Sequence, residues 1–431
     1  MKWLLYNILF AIAYVCMMPK FLIRMCRRGG YANRFNDRFG RYPHEILVDL
    51  QDGTRRVWVH AVSVGEVAVA AQLMTELRKQ APDLAFVLSV TSSTGWTQAQ
   101  KVVSKCDILI YAPLDFPPCV KRAFDAIRPR AYIITETELW PNAIRQAKKQ
   151  NIPTFLVNAR ISDRSAPGYR RLRCWFGPVL NMITRIYAQS DLDKQRLVDA
   201  GCEPDRVEVT GSMKFDVAKR NPEKEAELRA YLDAAGFAPD APILLGGSTW
   251  PGEDFFILTI YRKALAFDPT LRLIIAPRHF EKANDVEATI RNAGFVCLRK
   301  SRTPNPTKQP KDTVLLADTT GELMGLYGLA KTVFVGKSLC EHGAQNMIEP
   351  CLCGCATTVG PYTENFRPVM SDLLAQEAII QAPDRLALEE KLLKLLRSNA
   401  ESKALGERAT AAVQKRLGVT PRVVSNILSQ I

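Results

Sequence analysis

Four loop sequences in the first half of the chain collect groups suited to proton transfer and anion stabilisation. Ser63-Val64-Gly65-Glu66 closes a β-branched run and opens a helical pattern, which puts a carboxylate in a first helical turn. Such a carboxylate is a candidate general base, and it equally complements a helix macrodipole with no further role. The dipole lowers its pKa, so on sequence alone desolvation by a bound substrate has to do the raising. Glu136-Thr137-Glu138-Leu139-Trp140-Pro141-Asn142 places two carboxylates in one loop ahead of a helix, with Glu138 in position to cap it. Asn158-Ala159-Arg160-Ile161-Ser162 and Gly211-Ser212-Met213-Lys214-Phe215-Asp216 then bring an Arg and a Lys. Either cation can face a leaving phosphate, or pair with Asp163 or Asp216.

The second half carries a different chemistry. Gly246-Gly247-Ser248-Thr249 leads into Gly252-Glu253-Asp254, and Ala276-Pro277-Arg278-His279 ends a buried run. Thr319-Thr320-Gly321-Glu322 and Gly343-Ala344-Gln345-Asn346-Met347-Ile348-Glu349-Pro350 each open a helix. Backbone N–H groups at such helix starts, with one Arg, hold a single phosphate. A Glu within reach of a ribose accounts for nucleoside hydroxyls. There is no P-loop and no G-x-G-x-x-G at a strand end, so ATP and dinucleotide chemistry lose ground. The eleven cysteines are scattered and odd in number, which reads as reduced thiols. Cys351, Cys353 and Cys355, with Cys340 nearby, lack the paired C-x-x-C spacing of zinc sites and read as small buried residues.

These loops need strands to end on and helices to start. From residue 57 short β-branched runs alternate with helical patterns, the signature of parallel α/β architecture. The predicted strands are 57–62, 84–90, 107–111 and 131–134, then 243–246, 271–275, 314–316 and 332–335. The charged stretch Asn221-Pro222-Glu223-Lys224-Glu225-Ala226-Glu227 marks the restart, so two doubly wound domains are expected. Ligands of such sheets bind beyond the carboxyl ends of the strands, where all the loops above lie.

The chain has 431 residues, a net charge of +14 and 47% hydrophobic residues, which excludes a disordered tail or a small disulfide scaffold. Residues 1–43 hold Lys2, Lys20, Arg24, Arg27, Arg28, Arg34, Arg38 and Arg41 against Asp37 alone, half of the excess charge. That weakens a nucleic-acid reading of the whole. Residues 3–18 form an apolar segment about 24 Å long as a helix, short of a ~30 Å hydrocarbon core. A marginal span or a helix lying in the interface both fit, with the arginines from Arg24 to Arg41 facing anionic headgroups. A cleavable signal peptide is the rival reading.

Taken in order, His60 to Glu66, Glu136 to Asn142, Asn158 to Ser162, Gly211 to Asp216 and Asn346 to Glu349 resemble the Kdo (3-deoxy-D-manno-octulosonic acid) transferases of lipopolysaccharide synthesis. The resemblance spans nearly the whole chain. It implies a GT-B glycosyltransferase, with two Rossmann-like domains facing a central cleft and an N-terminal membrane-associated helix. It further implies transfer of Kdo from CMP-Kdo to a lipid A precursor on the cytoplasmic side of the inner membrane. No metal, cofactor or nucleic acid is expected, and anionic membrane lipids are the expected surroundings. By the family's pattern Glu66 is the general base, supported by Glu136 and Lys214. CMP contacts fall on Pro277 and Arg278, on Thr320, Gly321 and Glu322, and on Asn346, Met347, Ile348 and Glu349.

The domain boundaries expected are 1–43 for the membrane segment, 44–218 for the acceptor domain and 219–240 for a linker or helix. Residues 241–410 form the CMP-sugar domain, and 411–431 a C-terminal helix with the option of returning to the first domain. The chain departs from the family's pattern at Trp250, Lys337 and Gln345, with Lys337 and His342 as candidate compensations. Two alternatives therefore stay open: a GT-B enzyme using a UDP-sugar, either transferase or epimerase, and an inactive membrane-bound scaffold.

Overall fold

The computed structural model describes residues 2–28 and 32–431, with the side chains of residues 2, 20–28, 32 and 33 outside it. The chain divides into two compact units, Met1–Val217 with Gly418–Ile431, and Ala218–Leu417.

In the first unit seven strands form one parallel sheet: β1 (Val57–Ala61), β2 (Phe86–Val90), β3 (Ile108–Tyr111), β4 (Ala131–Thr135), β5 (Thr154–Ala159), β6 (Arg185–Ala188) and β7 (Val207–Val209). Their order is β3-β2-β1-β4-β5-β6-β7. The strands are apolar on both faces because helices cover both faces, which is why they read as continuous β-branched runs. Trp58, Phe124 and Tyr132 pack on one side. Val59, Phe86, Leu88 and Ile133 pack on the other, beneath the helices Val64–Gln80 and Val419–Leu428. Asp216 anchors that last helix by accepting from the backbone N–H of Gly418 (2.7 Å) and Thr420 (2.6 Å).

The second unit repeats the plan with β8 (Ile243–Thr249), β9 (Arg272–Pro277), β10 (Val296–Arg299), β11 (Thr313–Leu316), β12 (Thr332–Val335), β13 (Ala356–Val359) and β14 (Ile380–Gln381). The order here is β10-β11-β9-β8-β12-β13-β14. Residues 219–240, expected as a linker or helix, carry the helix Pro222–Ala234, whose buried Leu228 and Leu232 make it part of this unit. The chain crosses back at Gly418, after the helix Asn399–Gln414, which also belongs to the second unit.

Each sheet has one switch point, where strand order reverses: β1 beside β4 in the first unit, β8 beside β12 in the second. Gly336 follows β12 where a Cβ would lie 2.2 Å from the Ser248 carbonyl oxygen, so only glycine lets the two strand ends approach. Among the described residues, eight non-glycine residues have positive φ, and Glu136, Asn158, Ser248, Lys337 and Ala344 of these sit on the loops singled out above. Strained backbone of this kind concentrates at functional sites.

The N-terminal helix α1 (Lys2–Arg28) lies against the first unit. The Tyr6 hydroxyl donates to Asp115 Oδ2 at 2.7 Å, and Asn7 Oδ1 accepts from Asn142 Nδ2 at 2.8 Å. Phe10 packs edge-on against Phe116, and Trp3 lies under the Arg145 guanidinium. Asp115 also accepts from the backbone N–H of Asn142 and Ala143, both at 2.9 Å, and so caps the helix Pro141–Lys149. Among the described residues no helix is long and apolar enough to cross a membrane.

Two arginines expected to face headgroups are structural instead. Arg38 is only 3% exposed, donating to the Thr91 carbonyl and lying over the Tyr111 ring. Arg34 is ion-paired at 2.9 Å with the buried Asp37. Asp37 has no helical-turn signal in sequence, so its pairing with Arg34 was not visible there. The side chains of Lys20, Arg24, Arg27 and Arg28 lie outside the described residues.

Candidate active site

Ser63 is the N-cap of the helix Val64–Gln80, and Glu66 stands at its third position in a reciprocal capping box. Glu66 Oε1 accepts from the Ser63 hydroxyl at 2.7 Å and the Ser63 N–H at 3.2 Å. Oε2 accepts from the Val62 N–H at 2.9 Å. The Thr135 hydroxyl lies 3.4 Å from Oε2 but 2.8 Å from the His60 carbonyl oxygen. A hydroxyl has one proton to give, and the shorter contact takes it. One lone pair of Oε2 is thus left available to a substrate hydroxyl, on a carboxylate otherwise fixed in place. Glu66 is 6% exposed, and burial raises its pKa, outweighing the backbone and Ser63 hydrogen bonds that lower it. The protein itself supplies the desolvation that sequence reasoning assigned to a bound substrate.

Glu136, across the switch point at the end of β4, has φ +54°. Its Oε1 meets Lys214 Nζ at 2.9 Å and its Oε2 meets Arg160 Nε at 3.3 Å. Burial alone would raise its pKa, yet the Lys214 and Arg160 charges hold it below the ordinary value. Glu136 is therefore an ionised clamp on two cations and not a proton acceptor. Asp163 pairs with Arg196, and Asp216 caps the C-terminal helix. The loop bearing Lys214 is pinned by Asn158, whose Oδ1 accepts from the Met213 N–H at 3.0 Å.

Glu138 differs from both neighbours. The helix that follows has Trp140 as its N-cap and Pro141 at its first position, so Glu138 caps nothing. Burial pushes its carboxyl up to about 7, with added repulsion from Glu66 and Glu136. A carboxyl that titrates from 4.5 in the unfolded chain to about 7 here binds its proton more tightly when folded. Its contribution to stability is full below the lower value and lost as pH rises through the upper one. Glu138→Gln is expected to unfold at a temperature a few degrees above wild type near pH 8.5, and close to wild type near pH 4. Equal shifts at both pH values, measured by thermal unfolding, would contradict this placement.

In the second unit the loops after β8, β9, β11 and β12 share one edge, since every strand pair is parallel. Glu253 is fully buried and holds the switch point together. Its carboxylate accepts from the N–H groups of Trp250 (2.9 Å), Lys337 (2.8 Å), Ser338 (3.2 Å) and Leu339 (3.1 Å). Pro277 ends β9, and Arg278 follows with its N–H on the Thr249 carbonyl and an exposed guanidinium. Arg278 acts electrostatically on Glu349, whose pKa burial raises against the Asn346 hydrogen bond (2.9 Å) and the Arg278 charge. These two loops thus come together.

The remaining predicted contacts are placed differently. Thr320 and Gly321 are exposed, whereas Glu322 is buried and engaged with Lys300 Nζ at 3.0 Å and the Thr319 hydroxyl. Burial would raise the Glu322 pKa, but those partners hold it low. Met347 and Ile348 turn their side chains into the core, which leaves their main chain as the accessible part. The departures are also resolved: Lys337 Nζ lies over the Trp250 ring at 4.9 Å, while His342 pairs with Glu364 and stacks on Tyr362. Gln345 donates its N–H to the Gly336 carbonyl.

Cys351 and Cys355 are fully buried, and burial pushes the Cys351 and Cys353 thiols up to about 12. Among the described residues no group of three or more His, Cys, Asp or Glu side chains is arranged to hold a metal ion. The sequence offers Arg160 a phosphate, Asp163 or Asp216 as partner but not Glu136, and it assigns no role to Asn158 or Glu253. Arg160 and Asn158 lay inside a quoted strand-end motif, which was the available signal; Glu253 had only its position behind a glycine.

The family model described as 3-Deoxy-D-manno-octulosonic-acid transferase (kdotransferase) matches residues 33–217. The 3-deoxy-D-manno-octulosonic acid transferase of Bordetella pertussis is 34% identical over 414 residues, 93% of this chain and 93% of that protein. The protein of the same description from Haemophilus influenzae is 30% identical over 397 residues, 91% of this chain and 90% of its own length. Among solved structures, a glycosyltransferase from Rickettsia africae aligns with a TM-score of 0.58 at 11% identity, covering 88% of this chain and 98% of that one. At that identity the likeness is one of fold.

Proposed function

This chain belongs to the Kdo transferase family and is a glycosyltransferase of lipopolysaccharide synthesis, and we propose that it moves Kdo from CMP-Kdo to a hydroxyl of a lipid A precursor with inversion. The reading carries with it a location at the cytoplasmic side of the inner membrane. One observation supports the mechanism above all: Glu66 is a buried carboxylate with raised pKa and one unclaimed lone pair, next to an ion-paired Glu136. Glu66 takes the acceptor proton as the acceptor oxygen attacks the anomeric carbon from the face opposite CMP. The Lys214 and Arg160 cations, fixed by Glu136, meet negative charge that develops on the reacting groups.

On the second unit Arg278 serves the departing phosphate, and Asn346 and Glu349 serve the nucleoside. A single phosphate needs only one guanidinium and a few N–H donors, so the reaction as proposed runs without a divalent metal. Glu322 is already claimed by Lys300, so this loop's part in holding CMP is through the exposed main chain of Thr320 and Gly321.

The Trp250 and Lys337 departures give the UDP-sugar reading its remaining footing. Thermal unfolding with added nucleotides separates the readings, because a ligand that binds only the folded state stabilises it. CMP is expected to raise the unfolding temperature and UDP to leave it unchanged. Stabilisation by UDP alone would reassign the donor, and by neither would favour an inactive scaffold.

A further inference from the structure

An apolar groove of about 370 Å³ lies in the first unit between α1 and the helix Arg173–Leu180, lined among others by Trp3, Tyr6, Leu9, Pro141, Trp175 and Phe176. The Tyr6 hydroxyl, its one polar side-chain group among these apart from the indole nitrogens, is already bonded to Asp115 at 2.7 Å. A methylene occupies close to the ~30 Å³ of one water, so the groove holds about a dozen of them.

The groove is not isolated. Leu9 belongs both to it and to the outward face of α1, where Leu4, Leu5, Ile8, Leu9, Ile12, Val15 and Met17 are 45–67% exposed. A contiguous apolar face of this kind marks an interaction site. On the other side, Leu172 of the wall sits within Arg170-Arg171-Leu172-Arg173, and these three arginines and Arg164 are exposed with no partner among the described residues. Cations rimming an apolar slot complement an anionic headgroup on an apolar tail. A second copy of this chain fits poorly, because a two-fold contact would bring the same arginine cluster against itself.

The groove also borders a loop of the candidate active site. Pro141 in its wall ends the loop that carries Glu136 and Glu138. Phe176 packs on Tyr169 at 4.3 Å, and the Tyr169 hydroxyl is pushed up by burial and by the charge of Glu138.

We propose that this groove binds one fatty acyl chain of the acceptor lipid, with Arg170, Arg171 and Arg173 meeting its phosphate. The identity of the lipid rests on the reading of a lipid acceptor given above; the acyl-chain site itself does not.

The test uses the full chain and a brominated fatty acid below its micelle concentration, a quencher of nearby indoles. Quenching of tryptophan fluorescence is expected, reduced by at least half in Trp175→Phe and in Leu172→Glu; Leu172 is 48% exposed, so a charge there leaves folding intact. Absence of quenching, or equal quenching in Leu172→Glu, would overturn the site. A concentration-dependent dimer dispersed by Leu172→Glu, without quenching, would assign the groove to a second copy. In transfer assays, Leu172→Glu should lower the preference for acylated over deacylated acceptor, as a ratio of kcat/KM, by about tenfold or more, and an unchanged ratio would also overturn it. If the wild type transfers nothing to either acceptor, the proposed function fails while the quenching result still decides the groove.

Discussion

Glu66→Gln is expected to lower kcat for transfer by about 10²- to 10⁴-fold, the range usual for loss of a general base, with CMP affinity within about twofold of wild type. The amide keeps the shape of the side chain and one acceptor oxygen, and Gln is tolerated at the third position of a capping box. What it lacks is a basic lone pair at the place where Oε2 faces substrate. The variant should fold, because Val62 and Ser63 lose at most part of their hydrogen bonding to it. The pH profile provides a second readout. Burial raises the Glu66 pKa, and the base works only when ionised, so wild-type kcat/KM falls as pH drops through that value. The residual rate of the variant should lack this acid limb. A variant retaining more than a tenth of wild-type kcat, or the same acid limb, would remove Glu66 from the role.

Arg278→Ala is expected to weaken CMP binding by about 10- to 100-fold, or about 1.4–2.7 kcal/mol, the scale of a charge-assisted bond to phosphate. The guanidinium is exposed, and only its backbone N–H is used by the fold, at 3.0 Å from the Thr249 carbonyl, so the substitution should leave folding untouched. The Arg278 charge holds the Glu349 pKa down against burial, so Glu349 should titrate at still higher pH in the variant. Calorimetric titration with CMP measures the first effect, and unaltered affinity would exclude the contact. The two variants act on different quantities, rate in one and nucleotide affinity in the other, and a swap of these outcomes would contradict both assignments.

The strands were legible because a parallel sheet covered on both faces demands uninterrupted apolar runs, as in 131–134 and 332–335. Their lateral order was not, since periodicity carries no information about neighbours, and the placement of β1 beside β4 appears only in the fold. The same limit applies to the site. Ser63 and Glu66 are three residues apart, so a local pattern placed them at a helix start. Glu136 and Lys214 are joined only through space, and sequence left Lys214 divided among a phosphate, Asp163 and Asp216. Capping is one role the sequence leaves open for Glu138, which precedes a helix, but Pro141 sets the helix start and the carboxyl sits in a half-buried loop with no hydrogen-bond partner among the described residues. Arg34 and Arg38 counted towards a membrane patch until Asp37 and the Tyr111 ring accounted for them.

Arg170, Arg171 and Arg173 are exposed beside an apolar surface of the first unit, whereas Arg34 and Arg38 are tied into the fold.

The most direct measurement incubates the purified full chain with CMP-Kdo and a tetraacylated lipid A precursor in detergent, with a chelator present, and follows both CMP release and product mass. The account predicts a Kdo-bearing lipid formed in step with released CMP, and none when a UDP-sugar replaces CMP-Kdo. No product and no CMP, or product from the UDP-sugar alone, would contradict it.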